Sequence, residues 1–253
     1  MRIVYGPVPS WRFGPSLGID PLCVRDKYCS FDCEYCQLGP TKIKSIEKRI
    51  FVEPKNLERE LQDALKRCDP NIVTFSGTAE PTLAANLGEL LETVRKVTDL
   101  PVGILTNSSL ISNKGTVSVL KKFDVVSLKL DAATEETFQK VNAPVRGCHI
   151  DDIINGSIKF RKSFNGTLCL QTMFTKTNAE EANEIIDAAK RIMPDVIHID
   201  TPLRKSKVPP LSKEKLDRIS EKFAGLNFKT VYDSPRFKTA PLDRDQTKAR
   251  RPE

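Results

Sequence analysis

The sequence predicts an α/β fold built as a partial (β/α)6 barrel, open on one side. Short β-branched runs alternate with amphipathic stretches along the chain, which implies a parallel sheet with right-handed crossovers. Six such units occur, too few to close an eight-fold barrel. Three cysteines follow the first expected strand, at the carboxyl end where such sheets bind ligands.

The first strand is expected over residues 17–20, just before those cysteines. A helix follows over residues 57–67, capped by Asn56, with Leu57, Leu61, Ala64 and Leu65 on one face. Residues 71–76, 102–106, 125–130, 167–174 and 196–199 are rich in Val, Ile and Leu and read as buried strands. Residues 87–97 repeat the helical spacing. Thr134 opens another helix with Glu135 and Glu136 in its first turn, where carboxylates oppose the positive end of the helix dipole. Residues 151–164 and 179–192 are helical by the same period, and Ser212 begins a last helix after the breaker Pro209-Pro210.

The chain has 253 residues, enough for one substantial domain. We place that domain at residues 1–225 and a C-terminal extension at 226–253. No apolar run approaches the ~18 residues of a membrane span, and the N-terminus lacks the apolar core of a signal peptide. Seven cysteines, an odd number at irregular spacing, argue against a secreted disulfide scaffold. A reducing cytoplasm is the expected location. The net charge of +7 fits either a solvated lysine-rich surface or a polyanionic partner such as RNA. Basic residues gather at 204–207 and in the tail at 248–251, which composition alone leads us to expect disordered.

The run Cys29-x3-Cys33-x2-Cys36 offers three thiolates to a four-iron cube, leaving one iron open to an exogenous ligand. A structural zinc site would want four protein ligands, and no partner pair lies nearby in sequence. Cys23, Cys68, Cys148 and Cys169 match no compact second-cluster spacing. Cys23 and Cys148, in loops, are candidates for a thiol that meets a radical.

With Tyr35 before its last cysteine, this triplet resembles that of the radical S-adenosylmethionine (radical SAM) enzymes. The segments at residues 5–10, 17–20, 75–83 and 105–108 resemble a narrower group, the wyosine-synthetase-like radical SAM proteins, over roughly residues 3–220. The resemblance implies the radical SAM type of partial barrel and an iron–sulfur oxidoreductase chemistry. SAM chelates the open iron of a [4Fe-4S] cluster and is cleaved reductively. The 5′-deoxyadenosyl radical so formed removes a hydrogen atom from the substrate.

By the same resemblance, Cys29, Cys33 and Cys36 ligate the cluster and form the catalytic centre, and Tyr35 lies beside the adenine. Gly77, Thr78, Ala79 and Glu80 stand where the family has a glycine-rich segment that reaches the methionine amino group. Ala79 replaces the usual second glycine. Lys129 matches a lysine that holds SAM, and Ser127 stands where related activases carry aspartate. Alternation places Ser127, Lys129 and Asp131 on one face. Asn107 and His198 are further candidates for cofactor or substrate contact.

Kinship and basicity point to a tRNA base as substrate. A maturase or activase acting on a small molecule or protein is the alternative, and a non-catalytic iron–sulfur carrier is the second. A one-electron reductant such as ferredoxin or flavodoxin is the implied partner.

Overall fold

The computed structural model describes residues 1–252. In chain order the elements are β1 (Val4–Ser10), β2 (Gly14–Ile19), β3 (Tyr28–Cys29), β4 (Ile43–Lys44), α1 (Pro54–Leu65), β5 (Ile72–Phe75), α2 (Leu87–Val97) and β6 (Val102–Thr106). There follow α3 (Lys114–Leu120), β7 (Val125–Lys129), α4 (Glu135–Asn142), α5 (Ile150–Arg161), β8 (Thr167–Met173), α6 (Ala182–Ile192), β9 (Val196–Asp200), α7 (Lys213–Glu221), β10 (Phe228–Thr230) and α8 (Arg244–Lys248).

Eight strands form one open sheet in the order β1-β2-β5-β6-β7-β8-β9-β10. Every pairing from β2 to β10 is parallel, and β1 lies antiparallel on β2 as an edge. Strands β2 and β5 to β9 are the six that the hydrophobic runs predict. Their central residues, such as Val73, Val126 and Leu168, are fully buried. Both faces are therefore covered, which is why these strands read as continuous apolar runs rather than alternating ones. The architecture is a partial barrel with helices outside.

One local expectation needs correction, and two elements are additional. Asn56 does not cap α1. The helix starts earlier, with Glu53 as cap and Pro54 in the first turn, where a fixed φ and a missing N–H cost nothing. Strand β1 is additional: it contains Pro7 and Pro9, which an edge strand tolerates. Helix α3 is also additional: Asn113 caps it by accepting from Thr116 N at 2.9 Å.

The tail differs most from its expectation. Asp243 caps α8 by accepting from Gln246 N at 3.0 Å. Leu242 N donates to Gly6 O at 2.6 Å, and Gly6 N donates to Thr247 Oγ1 at 3.2 Å. A strap thus runs from β10, at one edge of the sheet, to β1 at the other. Arg250 is buried beneath it. Composition signals only solubility here, and the order comes from specific hydrogen bonds to β1.

Candidate active site

The carboxyl ends of β2 and β5 to β9 open onto a cavity of about 700 Å³. Cys29 ends β3, and the loop after it carries Cys33 and Cys36. This loop is docked on the last turn of α4: Asp32 N donates to Asn142 O at 3.0 Å and Glu34 N to Val141 O at 2.9 Å. A turn from Cys33 O to Cys36 N, 3.0 Å, brings the last two cysteines to the same side. All three line the cavity, and all are free thiols.

Burial pushes the Cys29 thiol up to about 12 and the Cys33 thiol up to about 11. Bound iron would deprotonate them outright, so loading must displace protons. Lys27, only 7% exposed, lies beside them. Burial disfavours its charge, but a hydrogen bond to Cys36 and the negative charge that Cys36, Cys29 and Cys33 carry as thiolates outweigh this and raise its pKa. A buried cation against three thiols suits an anionic cluster. Among the described residues no three His, Cys, Asp or Glu side chains converge on a single-ion site. A cube asks for something different, since each thiolate takes its own iron. The residues present fit the cluster.

Asp131 is the hub of the adjoining wall and is 2% exposed. It accepts from Met173 N at 2.8 Å, from Asn142 Nδ2 at 2.8 Å and from the Tyr35 hydroxyl. Lys129 Nζ sits 3.0 Å from its Oδ1 and 4.8 Å from the centre of the Tyr35 ring. Burial and the Asp131 charge raise the Tyr35 phenol well above its usual value, so it stays a donor. Asn142 also reaches Cys33 Sγ at 3.4 Å, which ties this network to the cysteines.

The loop after β5 supplies the opposite wall. A Cβ on Gly77 would lie 2.3 Å from Asp20 Cγ, so only glycine passes there. Glu80 is buried and accepts from Thr82 N at 3.0 Å, Thr106 Oγ1 at 2.6 Å and Asn107 N at 2.7 Å. Burial raises its carboxyl against those bonds. Glu80 is thereby a clamp between the loops after β5 and β6. Asn107 Nδ2 donates to Ser30 Oγ at 2.8 Å, beside Cys29. Ser127 Oγ is buried with no hydrogen-bond partner and lines the cavity.

Of the expected residues, Tyr35, Gly77, Ala79, Glu80, Asn107, Ser127 and Lys129 share the cavity with the cysteines. Thr78 does not: its side chain turns to Asp20 Oδ2 at 2.9 Å. His198 does not either. It is buried between the rings of Trp11 and Phe13, with centroids 5.3 and 5.8 Å away. Alternation puts it on the same face of β9 as Asp200, but Asp200 at the strand's carboxyl end lines the cavity, whereas His198, two residues earlier, is covered by those two rings. Cys23 and Cys148 are likewise outside the cavity wall. Lys27, Gln37, Asn142 and Arg12 were not singled out in sequence. Lys27, two residues before Cys29, carried a signal in its proximity. Arg12 carried none, because a turn brings it across the fold.

An open parallel half-barrel with three free cysteines at its carboxyl end defines a class of cluster-dependent barrel enzymes. Residues 27–189 match the Radical SAM superfamily model, and the chain belongs to that superfamily. Its members are enzymes that hold a [4Fe-4S] cluster and SAM. A UPF0026 protein of Synechocystis sp. is 36% identical over 212 residues, covering 83% of this chain and 78% of that protein. A probable GTP 3′,8-cyclase of Metallosphaera sedula is 25% identical over 171 residues, 68% of this chain and 51% of the cyclase.

Two solved structures share the fold. Streptococcus suis SuiB bound to S-adenosylmethionine superposes with a TM-score of 0.63 at 22% identity; it covers 81% of this chain, which spans 48% of SuiB. Archaeal TYW1 gives 0.57 at 15% identity, covering 84% of this chain and 72% of TYW1. No helix among the described residues is long and apolar enough to cross a membrane.

Proposed function

We propose that this chain cleaves SAM reductively and abstracts a hydrogen atom from a tRNA base. One observation carries the reading: the cysteine triplet, the Gly77 loop, Tyr35 and Lys129 line one cavity, with Asp131 buried behind the last two. When bound, the cluster and SAM supply one-electron cleavage of the sulfonium and the hydrogen-abstracting species.

The protein does the rest. Cys29, Cys33 and Cys36 anchor three irons. Gly77, packed on Asp20 where a Cβ would collide, presents bare backbone to the cavity and would hold the amino acid end of SAM. The Tyr35 ring, 4.8 Å from the Lys129 ammonium, would lie beside the adenine. Lys129 balances the Asp131 carboxylate and can donate further to SAM, and Asn107 and Ser127 offer polar contacts nearby. The β1–β2 hairpin and the tail strap shield the cavity and limit side reactions with water.

Exposed Ile43 and Ile46 alternate with exposed Lys42 and Lys44 just beyond the cluster loop. Such a surface suits an acidic one-electron donor of the ferredoxin or flavodoxin kind. Seven free thiols and a thiolate-held cluster suit the cytoplasm. A second reading is a maturase or activase acting on a small molecule or protein; a cavity of about 700 Å³ favours its small-molecule form. The deciding experiment is anaerobic reconstitution followed by SAM and a strong reductant. Release of 5′-deoxyadenosine, with label transferred from deuterated tRNA, is expected. Release without transfer from tRNA, but with transfer from small molecules or protein, favours the second reading. A loaded cluster that releases no 5′-deoxyadenosine refutes both.

A further inference from the structure

The cavity has a second region, away from the cysteines, whose charge the SAM chemistry leaves unused. Arg12, in the turn between β1 and β2, reaches Asp200 at the end of β9, with Nη1 3.3 Å from Oδ2. Arg204 follows β9, and Arg251 comes in on the strap. All three line the cavity. Asp200 is the single carboxylate on this side, and Gln171 Nε2 already donates to it at 2.9 Å. Arg204 Nη1 donates to the neutral Gln37 at 3.0 Å. Among the described residues neither Arg204 nor Arg251 forms a salt bridge, and Asp200, already paired with Arg12, is the one carboxylate whose charge reaches Arg204. Arg236 adds a further guanidinium at the rim, also without a salt bridge among them.

The other cavity charges are accounted for. Lys129 faces Asp131 at 3.0 Å, Arg250 faces Asp20 at 3.1 Å, and Lys27 faces the thiols with Asp32 3.8 Å away. The excess is therefore local to the mouth. Half-buried guanidiniums with one carboxylate among them repel one another: burial, Arg204 and Arg12 together lower Arg251 to about 10. An arrangement of this kind costs stability unless a bound anion neutralises it.

We propose that Arg12, Arg204 and Arg251 form an anion subsite that seats a phosphate group of the substrate. The inference rests on the radical SAM reading and names the chemistry of its substrate. Three planar forks offer more donors than one carboxylate can accept, and phosphate accepts bidentate pairs from several directions. Gln37 sets the subsite's position. It follows Cys36 directly, donates to Arg250 O at 2.8 Å and accepts from Arg204. A substrate anchored at the arginines extends from the mouth toward the cysteines. The phosphate belongs to a free nucleotide or to an RNA backbone, and the two sources are separable.

The test uses reconstituted holoenzyme saturated with SAM. Inorganic tripolyphosphate, a nucleoside triphosphate and bulk tRNA are titrated by calorimetry at several salt concentrations. At least one should bind, weaken with salt, and lose tenfold or more in affinity in Arg251→Ala and in Arg204→Ala. Arg251→Lys should recover part of the loss, and Arg191→Ala, on the exposed face of α6, should change nothing. Cluster absorbance and SAM affinity report that each variant is intact.

Tighter binding of tRNA with the steeper salt slope assigns the phosphate to RNA; tighter nucleotide binding assigns it to a free nucleotide. The proposal is overturned if wild type binds none of the three. It is overturned equally if Arg251→Ala and Arg204→Ala bind as wild type does, or if the probes merely displace SAM. Wild type that yields 5′-deoxyadenosine yet binds no phosphate probe sinks the subsite alone. Wild type that yields none sinks the radical reading, whatever it binds.

Discussion

Arg250 Nε lies 3.1 Å from Asp20 Oδ2, and both side chains are wholly buried. The pair joins the end of the strap to the end of β2. Asp20 also accepts from Thr78 N at 3.2 Å and Cys23 N at 2.9 Å, so it organises the loop after β5 as well. Removing one partner strands a buried charge. Arg250→Ala should lower stability by about 3–5 kcal/mol, read as the midpoint of anaerobic urea unfolding. Asp20→Asn combined with Arg250→Met should cost less than Arg250→Ala alone, because neither charge remains.

Cys33→Ala removes the middle anchor of the triplet and should abolish iron binding and SAM cleavage together. The measurement is iron and sulfide per chain after reconstitution, with the 400 nm region of the spectrum as a second readout. A normal cluster in this variant would refute the ligand assignment. Chelation of iron from wild type should abolish cleavage in the same way, and reloading should restore it.

Much of this site was readable before the structure, for particular physical reasons. Parallel strands announce themselves as unbroken apolar runs, and thiolate spacing is a local property of one loop. Lys129 and Asp131 were visible as a same-face pair because strand alternation is local too. The strap was not visible. Leu242 to Gly6 and Arg250 to Asp20 are contacts across most of the chain, between residues whose types predict only a solvated tail. His198 failed for the opposite reason: its residue type suggested chemistry, while its register on β9 points it into the rings of Trp11 and Phe13.

Lys129→Ala should weaken SAM binding about tenfold or more while leaving iron content unchanged. The variant removes a cation lying 3.0 Å from Asp131 and 4.8 Å from the Tyr35 ring centre. The ring then loses the group that fixes it, and a partly buried carboxylate network loses its neutralising partner. Titration of SAM into the reconstituted variant checks this. Unchanged affinity would return Lys129 to a purely structural role.

His198 should make the protein acid-sensitive. Burial, then the charges of Arg12 and Lys229, lower its pKa from 6.5 to about 3, and its Nδ1 has no hydrogen-bond partner. The folded protein thus keeps the ring neutral where the unfolded chain would protonate it. Between those two values the unfolded state binds more protons, so stability is full above pH 6.5 and falls as pH drops toward 3. The slope is about 1.4 kcal/mol per pH unit, so wild type should lose about that much between pH 7.5 and 5.5 on this account. His198→Phe keeps an aromatic ring edge-on to Trp11 and Phe13 but cannot take a proton. The difference in unfolding midpoint between the two proteins should therefore shrink in favour of the variant as pH falls through this window. Parallel pH profiles would show that the imidazole is protonated equally in both states and would remove the argument.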